Sequence, residues 1–328
     1  MTLRRRQFIT LLGSAAATWP LAARAQQVAV PLLGYLQITS PEVGANALAA
    51  FRKGLGETGY IEGRTVAIES HWVENRFETL PALAADLVRR PVAAIFANGP
   101  PAVLAVKAAT AIVPIVFTMG EDPVKEGIVE NLNRPGGNVT GFSDFANQLA
   151  GKQLGLLHDT APRAAVVALL VNPINPNAEL NSKQAQAAAD ALGVKLQVLR
   201  AGTEREIELA FAAMVHLGVG ALLIGVDPFF AGQREAIATL ATRHAIPAIA
   251  DQRTYPAAGL LMSYGPDRLE MNRQAGIYVG RILKGEKAGD LPVQQSTKFQ
   301  FVINLKTAKA LNLEIPTGIF SIADEMIE

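Results

Sequence analysis

Short apolar runs alternate with amphipathic stretches along almost the whole chain. Runs rich in Val, Ile, Leu and Ala fall at residues 28–36, 65–73, 93–97, 112–118, 165–171, 195–199, 221–226, 245–250, 259–263 and 298–305. Their length and their Gly/Pro boundaries predict strands. Segments at 45–55, 77–89, 102–109, 124–131, 149–159, 177–191, 204–217, 233–244 and 268–283 place apolar residues on one face and predict helices. Near-continuous apolar strands separated by helices predict parallel sheet covered on both faces. The β-α order recurs in the two halves, so the predicted fold is α/β with two doubly wound lobes.

Three breaks interrupt this order. The loop 133–138, with Pro135-Gly136-Gly137 forcing a turn, leads into a short strand at 139–142 and marks a boundary. Tyr264-Gly265-Pro266-Asp267 and the stretch 285–292 are the others. A chain that crosses between lobes more than once would break at such places.

The first residues read differently. Arg4-Arg5-Arg6-Gln7-Phe8-Ile9 opens an apolar run at 8–21 that ends at Ala23-Arg24-Ala25. A charged start, a short hydrophobic stretch and a small-x-small site predict a secretory signal cleaved near Ala25. The run is shorter than the ~20 apolar residues a spanning helix needs. The paired arginines resemble the twin-arginine export signal of bacteria. The expected location is therefore the periplasm, away from ATP, nicotinamide cofactors and nucleic acid.

Charge and composition narrow the chemistry. The chain has 30 basic and 29 acidic residues, and the signal removes Arg4, Arg5, Arg6 and Arg24 with no acid, so the mature protein is slightly acidic. Nothing basic remains to attract nucleic acid or an anionic membrane. There is no cysteine, which excludes a lipoprotein anchor, thiol catalysis and thiolate-bound zinc. The four histidines, His71, His158, His216 and His244, are scattered, so no metal is expected. Gly54-Leu55-Gly56-Glu57-Thr58-Gly59 matches a dinucleotide fingerprint, but a predicted helix precedes it and a predicted strand follows. That order is inverted, so Gly56 and Gly59 are expected to end the helix and turn the chain, and no cofactor is expected. No P-loop and no Gly-x-Ser-x-Gly elbow is present.

Candidate chemistry sits just after the strands, where ligands bind in open α/β sheets. Five polar loops fall there: Gln37-Ile38-Thr39-Ser40-Pro41, Asn98-Gly99-Pro100-Pro101, Gly120-Glu121-Asp122-Pro123, Asn172-Pro173-Ile174-Asn175-Pro176 and Asp227-Pro228-Phe229-Phe230. A proline can open the helix that follows, and the helix N-terminus suits a carboxylate. The same Asn, Asp and Ser residues also suit plain helix capping. Asp122 and Asp227 are candidate counter-charges for a ligand ammonium, or caps of their own helices. Phe229 offers an aromatic surface to a ligand or to the core. Tyr264 reaches a cleft or braces a hinge. The candidate ligand-binding set is Gln37, Thr39, Ser40, Asn98, Gly99, Gly120, Glu121, Asp122, Asn172, Asn175, Asp227, Phe229 and Tyr264.

These loops, in this order, resemble the bacterial ABC-transporter substrate-binding family that includes tryptophan- and phenylalanine-binding proteins. The matching segments are Gly34-Tyr35-Leu36-Gln37, Gly59-Tyr60-Ile61-Glu62-Gly63, Pro114-Ile115-Val116-Phe117, Asp122-Pro123-Val124, Gly136-Gly137-Asn138-Val139-Thr140-Gly141, Asp227-Pro228-Phe229-Phe230 and Asn304-Leu305-Lys306-Thr307-Ala308. Leu283-Lys284-Gly285 and Leu291-Pro292-Val293 fit as well. The resemblance implies a type I periplasmic binding fold: two Rossmann-like lobes, joined by three crossovers, that close on a small ligand. Its lobes would be 26–141 plus 265–288, and 142–264 plus 289–328. It implies that the five loops face the cleft, and that a membrane permease and its ATPase are partners of a monomeric protein that is not an enzyme. Family members that bind aromatic amino acids tend to carry His-Pro and then Leu-Asp in the first loop, where this chain has Ser40-Pro41 and Val43-Gly44. The expected ligand class is therefore broader: an amino acid-like, aromatic or carboxylate-bearing solute. An exported enzyme on the same scaffold and a ligand-sensing subunit for a membrane receptor are the alternatives.

Overall fold

A computed structural model describes residues 30–328 except Asn75, Asn147, Gln148 and Thr297. The predicted export signal lies outside the described residues. The chain first builds β1 (Leu32–Gln37), α1 (Pro41–Glu57), β2 (Ala67–Trp72), α2 (Leu80–Arg89), β3 (Val92–Asn98), α3 (Pro100–Ala109), β4 (Ile115–Met119) and β5 (Val139–Ser143). It then builds α4 (Ala150–Thr160), β6 (Val166–Val171), α5 (Ala178–Leu192), β7 (Lys195–Arg200), α6 (Glu204–His216), β8 (Ala221–Ile224), α7 (Pro228–Gly232), α8 (Arg234–Arg243), β9 (Ala248–Ala250), α9 (Thr254–Ala257) and β10 (Met262–Pro266). The remainder is α10 (Arg268–Leu283), β11 (Gln294–Gln295), β12 (Phe299–Asn304), α11 (Leu305–Ala310), α12 (Thr317–Ser321) and β13 (Glu325–Ile327).

These strands form two sheets within one compact unit, Pro31–Glu328. The first has strand order β11-β5-β4-β3-β1-β2 and is parallel throughout. The second has order β13-β12-β10-β9-β8-β6-β7. Here β12 runs antiparallel to β10, and β13 runs parallel to β12. The wholly parallel expectation therefore needs correction at this edge. The chain re-enters the second lobe at the end where its parallel strands finish, so β12 can only run back.

Sheet membership places the three crossings after Ser143, after Pro266 and after Gln295. Each lies beyond the boundary read from the sequence. β5 stays paired with β4 through Ser143. β10 stays paired with β12 through Pro266. β11 pairs with Phe142 and Ser143 of the first sheet. The segment before β11 also belongs there: Thr140 Oγ1 donates to the Leu291 carbonyl at 2.7 Å, and Ala288 and Leu291 are buried among Phe142, Tyr278 and Ile282.

Each sheet is covered on both faces. In the first lobe α1 and α10 pack together over Tyr35, Phe51 and Phe96, with Tyr35 stacked on Phe96 at 4.7 Å between centroids. Removing each such ring from water contributes roughly 1.5–3 kcal/mol. Gly54 and Gly276 permit the approach, because a Cβ on either would overlap a backbone carbonyl of the other helix. The apparent dinucleotide fingerprint thus divides its glycines among structural tasks. Gly54 is a helix-packing site, and Gly59, at φ +96°, turns the chain after α1.

The helix expected at 124–131 is absent. Asp122 Oδ1 accepts from the Val124 amide, and a single turn closes at Gly127, whose φ of +65° ends it. Lys107 Nζ then holds the Gly127 and Ile128 carbonyls at 2.6 and 2.9 Å. By contrast, α10 spans the 268–283 read from the pattern. Asp267 caps it by accepting from the Glu270 amide, and Glu270 itself pairs with Arg273.

Candidate functional site

The carboxyl ends of the two sets of parallel strands face each other across a cavity of about 340 Å³. All five polar loops reach it. Gln37, Thr39, Asn98, Gly99, Gly120, Glu121, Asn175 and Asp227 line it. Its apolar lining includes Ile38, Val43, Phe77, Met119, Leu269 and Met271.

The other expected residues do not line it, each for a visible reason. Ser40 caps α1, accepting from the Val43 amide. Asp122 is spent on the Val124 and Lys125 amides. Asn172 lies behind Asp227 and donates to it at 3.2 Å. Phe229 packs against the buried cluster under α6 and α8. Tyr264 stacks on Phe299 at 5.9 Å, while its carbonyl accepts from Gln153, so it braces the hinge.

Asp227 caps its own helix, one of the two roles its sequence context allowed, and lines the cleft. Its Oδ1 accepts from the Phe229 and Phe230 amides at 2.8 and 3.3 Å, capping α7. Its Oδ2 accepts from Asn175 Nδ2 at 2.7 Å. Burial raises its carboxyl above the usual range, and these donors pull it back. Helix N-termini at the cleft are thus less available to an outside carboxylate than the pattern suggested. Asp227 occupies that of α7. At α1, the Glu42 carboxylate is held below its ordinary value by its own amide and the Ser40 hydroxyl. α3 begins with two prolines, which have no N–H to offer, after Gly99 at φ +81°.

One charge in the cleft, Arg268, was not legible as a site residue. Arg268, the first residue of α10, stands at the second crossing and is 30 % exposed. Its Nε donates to Asp144 Oδ2 at 3.2 Å, from the first crossing. Its Nη2 lies 2.8 Å from Asp251 Oδ2, just after β9. That second approach is off the N–H direction, since Asp251 Oδ2 has no hydrogen bond, so the attraction there is Coulombic. Burial opposes the arginine's charge, but Asp251 and Asp144 hold its pKa raised. Burial raises Asp144, and Arg268 counters it. The lobes also touch directly: Asn177 Nδ2 donates to Glu121 Oε1 at 2.6 Å. Asn177 occupies the N-cap position of α5, yet its side chain crosses the cleft instead of capping.

Gln252, Arg253 and Thr254 complete a sixth loop, after β9. The rule that found the other five applies to it equally, because it follows the apolar run 245–250. Asp267, Asn272 and Gln300 had no such signal, since they lie at a crossing, inside a helix and on an antiparallel strand. Among the described residues no cluster of three His, Asp or Glu could hold a metal ion. No described helix is long and apolar enough to cross a membrane.

Two doubly wound lobes, three crossings and a lined cleft at the strand ends define a solute-binding protein of the type I periplasmic class. Residues 36–327 match the family described as ABC transporter substrate binding protein, and the chain belongs to that family. It is 26% identical over 282 residues to a tyrosine-binding protein of Clostridioides difficile (strain R20291), covering 86% of this chain and 81% of that one. Among solved structures it is similar to a conserved domain protein from Vibrio cholerae, at TM-score 0.82 and 24% identity over 90% of this chain and 99% of the other. An ABC domain from Streptococcus pneumonia in complex with L-Trp gives TM-score 0.81 and 24% identity over the same shares. A ligand-free, open structure of a substrate binding protein with adhesive properties from Clostridium difficile gives TM-score 0.67 and 26% identity over 91% and 99%. Capture of a solute between the lobes is the function of this class.

Proposed function

We propose that this protein captures a small, zwitterionic amino acid-like solute with an aromatic or other apolar side chain. The observation that carries the reading is the cleft itself. One end offers Arg268 flanked by buried acids, and much of the rest is Ile38, Val43, Phe77, Met119, Leu269 and Met271. A guanidinium suits a carboxylate, acids suit an ammonium, and apolar walls suit a ring. The tyrosine-binding relative and the L-Trp complex support the same class. The protein works outside the cytoplasm as a monomer, after removal of the segment ending near Ala25. It delivers its solute to a membrane permease driven by an ATPase, without turning the solute over. The five cleft loops, with Arg268, form the contact surface.

A thermal-shift screen of protein lacking residues 1–25 tests this against amino acids, aromatic acids and neutral metabolites. A ligand at ~100 times its Kd adds ~2.7 kcal/mol of stability. Stabilisation confined to aromatic or branched amino acids is the expected result. Stabilisation only by sugars or polyols, or chemical conversion of a stabilising compound, would refute the proposal.

A further inference from the structure

The outer face of α3 departs from the pattern of the other long helices. Those helices turn charges outward: Arg52 and Lys53 on α1, Lys183 and Asp190 on α5, Glu235 and Arg243 on α8. α3 turns out Leu104 and Ala108, one helical turn apart. Ala111 and Ile112 are exposed just past its end, Ile112 at 86 %. Lys107 is the one charged residue of α3, and it is tied down: its Nζ donates to the Gly127 and Ile128 carbonyls. That tie holds the turn after β4 against the helix, with Val124 exposed on it. α2 packs beside α3 and adds Pro81, Ala82 and Ala85 to the exposed face. Ion pairs border the patch, Asp86 with Arg89 on α2 and Asp122 with Lys125 on the turn. A contiguous apolar patch with a polar rim marks an interaction surface.

Size and position select the partner. Each of the two helices has 10 residues, so it is ~15 Å long and ~10 Å wide with its side chains. Side by side they present on the order of 300 Å². A second copy on the same face would bury about twice that, against the ~1,200–2,000 Å² of a stable pair. So small an area suits a partner that binds and leaves again. Gly99, Pro100 and Pro101 line the cleft at the start of α3, and Phe77, just ahead of α2, lines it too. A partner on this face therefore stands beside the cleft from which it must take the solute. The face belongs to the first lobe alone, so it keeps its shape when the lobes move. We propose that the α2–α3 face is where the membrane permease docks, through apolar contact. The proposal rests on the transport reading above.

The test is uptake of radiolabelled L-tyrosine and L-tryptophan by the source bacterium with its own copy of the gene deleted and the full chain or a variant restored. Ile112→Glu and Leu104→Gln should each cut the restored uptake by at least about fivefold. Both should leave solute affinity by calorimetry within about twofold. Leu104→Gln is near-isosteric and carries the test if Ile112→Glu does not accumulate. Leu209→Glu, at a residue 58 % exposed on α6 of the second lobe, should leave uptake unchanged. A photo-cross-linking residue at position 112 should join the protein to a membrane protein with several spans. An unmodified chain that restores no uptake overturns the transport reading and this proposal with it. Restored uptake that both variants keep, or cross-linking only to a second copy or to nothing, overturns this proposal alone.

Discussion

Replacing Arg268 by Met, at similar length without charge, should destabilise the ligand-free protein most at neutral pH and least in acid. The side chains of Asp144 and Asp251 are 1 % and 3 % exposed, and Arg268 is the cation paired with both. Removing one member of a buried ion pair costs about 3–5 kcal/mol, because a buried charge loses its partner. Arg268 is itself 30 % exposed to the cleft, so the lower end applies if water reaches the acids. At about 2 °C per kcal/mol for a chain of this size, Tm should fall by about 6–10 °C at pH 7.5. The pH dependence has a definite sign. Asp144 already has a raised pKa with Arg268 present, and losing the arginine raises it further. An acid whose folded pKa exceeds its unfolded value binds more protons when folded, so stability falls as pH rises between the two. The deficit relative to the unmodified protein should therefore shrink as pH drops from 7.5 toward the unfolded carboxylate value near ~4. Urea unfolding of both proteins across this range measures it. A deficit below ~1 kcal/mol at pH 7.5, or one that grows in acid, would refute the account of Arg268 as the counter-charge of two buried carboxylates.

Three further substitutions follow from the same geometry. Asp227→Ala removes the cap of α7 and the acceptor of two asparagines, so urea unfolding should show a loss of about 1–3 kcal/mol together with weaker ligand binding. Asn177→Ala should lower ligand affinity by roughly fivefold with little change in Tm, because it removes a contact made only when the lobes meet; unchanged affinity by calorimetry would deny that contact a part in closure. Gly54→Ala places a methyl group inside the van der Waals envelope of the Arg273 carbonyl, and should cost about 1–3 kcal/mol by thermal melting, where a helix-surface Gly→Ala would instead stabilise.

The pattern of apolar runs made the two lobes and most of their helices legible, because buried parallel strands and amphipathic helices leave strong periodic signals. α10 was readable to its ends, since Asp267 and Glu270 form its cap in the sequence itself. The loops after the strands could be placed at one sheet edge because parallel strands share a direction. Which atoms of those loops turn toward the cleft was not readable. Asp122 and Glu121 are neighbours, yet one is drawn into its own turn and the other lines the cavity, a difference decided by the backbone after β4. Arg268 looked like an ordinary helical charge, and its role depends on Asp144 and Asp251, which only the crossings bring beside it. The reversal of β12 and the short helices α7, α9, α11 and α12 depend on tertiary placement and carry no periodicity long enough to read.

The interleaving of the lobes also governs the order in which the chain can mature during synthesis. β1 to β5 leave the ribosome early, but the helix that covers Leu48, Phe51 and Leu55 begins only at Arg268, and the edge strand β11 ends at Gln295. At ~5–20 residues per second the gap between Ser143 and Gln295 lasts on the order of 10–30 s. Through that interval the first lobe carries an uncovered apolar face while most of the second lobe is being made. The early half of this protein is therefore the part that most depends on chaperones, and a chain truncated before Arg268 should aggregate instead of folding as an independent lobe.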